Sequence, residues 1–125
     1  MRTADLLKCA TFLFFTAIYA CTYKKGAISL PGNNSCDTTS ISYQTNIVPI
    51  LQASCYSCHS GTASLGAGIK LDTYTSVRTY ATNGLLLNSI LHNGLASNMP
   101  KNASKLPDCS INKIRAWINR GSLNN

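Results

Sequence analysis

Cys55-Tyr56-Ser57-Cys58-His59 is the stretch of this chain that decides how the rest is read. Two thiols three positions apart, with an imidazole directly behind them, suit covalent attachment of a haem. Each thiol can add to one vinyl group of the ring to give a thioether, and the imidazole of the next residue can meet the iron from one face. Attachment and ligation then come from one turn of backbone. The first four positions are shared with short zinc sites and thiol-redox motifs, so the pentapeptide alone leaves three chemistries open.

Upstream of the motif a helix is expected to start near Thr45 or Asn46, either of which can cap it. Pro49 then falls in the first turn, where a missing N–H is harmless. Ile47, Leu51, Cys55 and Cys58 follow at helical spacing, so the face that packs on the core also presents the thiols. Before this helix, residues 21–40 are polar and turn-prone, with Lys24, Lys25 and Pro31-Gly32-Asn33-Asn34-Ser35, and carry neither helical nor strand periodicity. They read as a flexible tether.

Residues 1–20 have the form of an export signal. Arg2 and Lys8 precede the short apolar run from Cys9 to Ile18, which is too short for a comfortable membrane span. Ile18-Tyr19-Ala20-Cys21 resembles the lipobox of bacterial lipoproteins, in which cleavage precedes a Cys that becomes lipid-modified; Tyr19 is bulkier than that pattern prefers. The resemblance implies that Cys21 is the mature N-terminus and carries acyl chains, which anchor the protein to a membrane without spanning it. Ordinary cleavage nearby would instead leave Cys21 as a free thiol.

Six cysteines then divide into roles. Cys9 leaves with the signal, Cys21 takes lipid, Cys55 and Cys58 take haem, and Cys36 and Cys109 remain as a candidate disulfide in an oxidising compartment. Closing so long a loop contributes about 4 kcal/mol in the chain-entropy model. The formal charge of +7 comes from singly scattered Lys and Arg, with no basic run interleaved with aromatics, which argues against a nucleic-acid partner. A moderately basic surface suits either solubility or an acidic redox partner.

Downstream, Ser60 to Gly68 reads as a flexible loop, and Asp72 or Thr73 caps a short helix through Tyr74, Val77 and Ala81. Asn83-Gly84 breaks it, and Leu86, Leu87, Ile90 and Leu91 form a second helix that stops at Asn93-Gly94. No alternating strand pattern is present. Met99-Pro100 lies in a polar loop, an unusual place for a thioether, and sulfur is a good axial ligand for haem iron. Packing against the domain is the alternative use of Met99. The last helix runs from about Asp108 to Arg120 and ends at Gly121, with Ile111, Ile114 and Ile118 as its stripe and Trp117 beside them.

In order, these features resemble a class I type cytochrome c domain over residues 41–121: Pro49-Ile50-Leu51, then Cys55-x-x-Cys58-His59, the Met99-Pro100 loop, and Trp117-Ile118-x-x-Gly121 in a C-terminal helix. More narrowly, the chain resembles small monohaem cytochrome c lipoproteins of bacteria. The resemblance implies an all-α fold of short helices around one covalently bound haem c, with the N- and C-terminal helices packed across each other. It makes Cys55 and Cys58 the thioether positions, His59 the proximal iron ligand and Met99 the distal one. His92, the only other His, competes for that last place and would give a bis-His haem of lower potential. Only about forty residues separate His59 from Met99, so the intervening helices must be short.

The function expected is electron transfer without substrate turnover, on the periplasmic side of a bacterial membrane, with an unidentified protein as redox partner. The alternatives are a haem enzyme or sensor whose distal ligand is labile and, less well matched, a zinc or thiol-redox site.

Overall fold

Ser42 opens the first helical segment by a reciprocal cap. Its hydroxyl accepts the Thr45 N–H, and its own N–H donates to Asn46 Oδ1 at 2.8 Å. The start thus lies three or four residues before the expected caps, Thr45 and Asn46. Within this segment Pro49 has no N–H to give the Thr45 carbonyl, and its ring crowds that group. The chain opens into a π-helical turn, Tyr43–Ile47, closed by the Val48 N–H on the Tyr43 carbonyl, and then tightens into α1, Val48–Ser54.

The structure, a computed structural model, describes residues 36–125. The export signal, the lipidation candidate Cys21 and the tether as far as residue 35 lie outside the described residues. After α1 come α2 (Tyr56–His59), α3 (Tyr74–Thr82), α4 (Leu85–Leu91) and α5 (Asp108–Asn119), and the described residues contain no strand. Thr73 caps α3 by accepting the Ser76 N–H, and Gly84, with φ +82°, makes the turn from α3 into α4.

One apolar core joins these elements. Ile47 and Leu51 are fully buried, and Val77 and Ala81 of α3, Leu86 and Ile90 of α4, and Ile111 and Ile114 of α5 pack into the same cluster. α4 lies against both α3 and α5, and α5 also packs on the π-turn. The buried stripe of α5 is Ile111, Ile114 and Trp117; Ile118, expected in it, is only half-buried. Trp117 wins that place because its large ring meets Tyr43 at 5.3 Å between centroids, and Tyr43 in turn meets Tyr74 edge-on at 5.2 Å.

Gly121, at φ +89°, ends α5 in a Schellman motif, with Ser122 N–H on the Trp117 carbonyl and Gly121 N–H on that of Ile118. Residues 122–125, beyond the reach of the 41–121 resemblance, are built into the domain. Trp117 Nε1 donates to the Leu123 carbonyl and the Tyr74 hydroxyl to that of Ser122, both at 2.8 Å. Asn125 accepts the Tyr43 N–H on its side chain and the Gln44 N–H on its carbonyl, so it serves donors that the first helical turn leaves without partners. At the other end, Cys36 is disulfide-bonded to Cys109 at the start of α5, and Arg120 donates to the Thr39 carbonyl. Residues 36–40 therefore run along the domain. No helix among the described residues is long and apolar enough to cross a membrane.

Candidate functional site

The apolar stripe of the π-turn and α1 leads directly into the motif. Cys55 breaks the helix, with φ −126°, yet its N–H still bonds the Leu51 carbonyl at 2.8 Å and its own carbonyl accepts from Cys58 and His59. The two thiols and the imidazole are thereby carried by a single kinked turn docked on the core through Ile47 and Leu51. Cys55 and Cys58 are both half-buried and neither is in a disulfide. Burial pushes the Cys55 thiol up to about 11, so it carries its proton at neutral pH.

His59 is the buried end of this turn, with 8% of its surface exposed. Its Nδ1 lies 2.8 Å from the Ile69 carbonyl. A carbonyl can only accept, so Nδ1 carries a proton, and the lone pair of the neutral tautomer falls on Nε2. Nε2 has no hydrogen-bond partner among the described residues. An imidazole fixed in its tautomer by a backbone carbonyl, with the second nitrogen spare, is the usual arrangement of a metal-ligating His.

Residues 60–71 hold that ring. Ala63, Gly66 and Ile69 donate in succession to the carbonyls of Ser60, Ala63 and Gly66, and the Leu71 N–H returns to the His59 carbonyl at 2.7 Å. Asp72 accepts the Gly61 N–H at 2.7 Å and fastens the segment where it leaves the motif. Where the sequence suggests a flexible loop, the structure has linked turns closing over the imidazole. Gly66 is pressed against it: a Cβ there would sit 2.4 Å from His59 Nδ1 and 2.6 Å from the Cys58 carbonyl.

Gly66, Ile69 and Asp72 are absent from the site as read in the sequence. Ile69 acts through its backbone, which leaves no side-chain signature. The glycines of this segment read as freedom, and Asp72 reads as one of two candidate helix caps, of which Thr73 takes the role.

Met99 and His92 form a second group. Met99 is half-buried; its N–H donates to the Ser89 carbonyl at 3.0 Å, and its carbonyl accepts from His92 Nε2 at 2.9 Å. The Met99-Pro100 bond is cis. An open hollow of about 720 Å³ adjoins this loop, lined by His92, Ser97, Asn98, Pro100 and residues 101–104, and none of the motif residues lines it. No hydrogen bond among the described residues joins the Met99 group to the motif group. Nor do three His, Cys, Asp or Glu side chains converge anywhere among those residues, as a protein-only zinc site would need.

Compared with protein-family models, with curated proteins and with solved structures, the chain matches none.

Proposed function

We propose that this chain is a monohaem c-type cytochrome domain of class I type, acting in electron transfer and not as an enzyme. The observation that carries the proposal is His59: a buried imidazole committed at Nδ1 to the Ile69 carbonyl and uncommitted at Nε2, on the same turn as two unpaired thiols. Those residues fit haem c. Cys55 and Cys58 would hold it through thioethers, His59 through Nε2, and Met99, the one thioether of the described residues, would be the distal ligand. When bound, the haem supplies one-electron cycling of its iron; the protein contributes ligand orientation and the partner surface.

The competing chemistries are less well served. A thiol-redox Cys needs a thiolate near neutral pH, whereas burial keeps Cys55 protonated far above it. Zinc would need donors that the described residues do not gather. On the cytochrome reading the chain is exported and lipid-anchored at Cys21 on the periplasmic side of a bacterial membrane. It exchanges electrons there with a protein partner that suits a basic surface: residues 36–125 carry seven Lys and Arg against three Asp, with one ion pair, Lys105 to Asp108.

The test is production of the chain with a c-haem maturation system, followed by acid-acetone extraction. Haem should stay with the protein, and Cys55→Ser with Cys58→Ser should release it; extraction of all haem from the unsubstituted chain would refute the reading. In the ferric protein an iron–sulfur charge-transfer band is expected and should vanish in Met99→Ala. Ready binding of CO by the reduced unsubstituted protein would favour instead a sensor or enzyme with a labile distal ligand.

A further inference from the structure

His92 ends α4 in the left-handed region, at φ 54° and ψ 41°, a conformation that costs a residue with a Cβ. That backbone is followed by a reversal in which the Leu95 N–H bonds Asn93 Oδ1 and Gly94 adopts φ +81°. The chain then comes back along the helix it has just left. Met99 is where it is fastened: its N–H is taken by the Ser89 carbonyl of α4, and its carbonyl by His92 Nε2. Because a carbonyl only accepts, Nε2 is the protonated nitrogen of His92. Both backbone polar groups of one residue in an otherwise irregular loop are thus anchored to the same helix end.

Resting on the cytochrome reading, we propose that His92 is a positioning residue for Met99 and not an iron ligand. The imidazole N–H fixes the carbonyl of Met99, the Ser89 carbonyl fixes its N–H, and the thioether is held on a backbone already set in place before iron is met. To ligate through Nε2, as His59 would, His92 would have to release that carbonyl, and Nδ1, the nitrogen left spare, is flanked by the ring's own Cβ, which a planar haem would meet. The left-handed turn at His92 has a use on this account, since it brings the ring off the helix end towards residue 99. Asn93 and Gly94, the residues that mark the helix end in the sequence, make the reversal but carry no donor to the Met99 carbonyl.

The experiment uses the ferric haem-loaded chain and imidazole as a competing iron ligand. If Met99 is preset by His92, removing the ring makes the thioether easier to displace. His92→Ala and His92→Gly should both weaken the iron–sulfur band and bind imidazole about fivefold more tightly, the loss of one hydrogen bond. Glycine relieves the left-handed backbone but has no donor, so its effect separates the hydrogen bond from the strain. His92→Gln keeps the same backbone cost as alanine and offers an amide N–H near the place of Nε2; it should bring imidazole affinity back to within about twofold of the unsubstituted protein.

Covalent haem should be retained throughout. An unchanged band and unchanged imidazole affinity in both His92→Gly and His92→Ala would overturn the role of His92 and leave the cytochrome reading standing. A band absent from the unsubstituted protein, with a low-spin spectrum lost in His92→Gly, would make His92 the ligand and overturn the proposal in the other direction. Haem that extracts from the unsubstituted chain would overturn the cytochrome reading itself, and this proposal with it.

Discussion

A methyl group at residue 66 has nowhere to go. The atoms it would meet are His59 Nδ1 and the Cys58 carbonyl, one the ring that the loop encloses and the other backbone of the motif, so neither yields cheaply. Gly66 is not among the glycines with positive φ, which makes Gly66→Ala a test of space alone. It should destabilise the fold by about 1–3 kcal/mol, read from a denaturant midpoint, and should weaken the His59 bond to Ile69. Cys55 offers a second measurement at this scale, in the haem-free chain. Burial raises its thiol from the ordinary 9.0 to about 11, so the folded state keeps a proton that the unfolded state gives up first. Its contribution is present in full below pH 9 and is lost as pH rises through 11, roughly 2–3 kcal/mol in all. Alkylation of Cys55 at pH 8 should be slower than in the unfolded chain by on the order of a hundredfold. In the haem-loaded protein both effects should be gone, because a thioether neither titrates nor alkylates.

Elements built from neighbouring residues are the ones the sequence reveals most fully. α3 is capped at Thr73, and α5 starts at Asp108 and is stopped by Gly121, because cap, stripe and stop signal all lie within one short window. The motif is legible for the same reason: its thiols and imidazole belong to one turn. The π-turn ahead of α1 escapes notice because Pro49 acts on the carbonyl four residues back, which a count of cap residues does not register. Ile69 and Asn125 are harder still, since one works through a backbone carbonyl and the other pairs with residues more than eighty positions away. Asn125 can be tested as part of the element it completes. Asn125→Ala removes the acceptor of the buried Tyr43 N–H and the donor to the Ile41 carbonyl, and leaving such groups unpaired should cost about 1–3 kcal/mol. Hydrogen exchange at the Tyr43 amide should quicken, while the bond from His59 to Ile69, in a different part of the domain, should be unaffected.

At the scale of the whole domain, the two ends of the described chain meet on α5. Cys36 is bonded to Cys109 at the start of that helix, Arg120 at its end holds the Thr39 carbonyl, and Trp117 between them packs on Tyr43 of the π-turn that leads into the motif. The disulfide spans a sequence separation of 73, and a loop of that length should contribute about 4 kcal/mol by restricting the unfolded chain. The bonds that orient His59, from Ile69 and Leu71, all close within a dozen residues of it and none crosses the disulfide. Stability and motif geometry should therefore separate. Replacing Cys36 and Cys109 together by Ser should lower the unfolding free energy by about 4 kcal/mol. In the same variant, haem retained after extraction and the iron–sulfur band should stay as they are in the unsubstituted protein. A band lost in step with stability would mean that closing the domain on α5 also sets the iron ligands, and that the local bonds around His59 are not sufficient to present it.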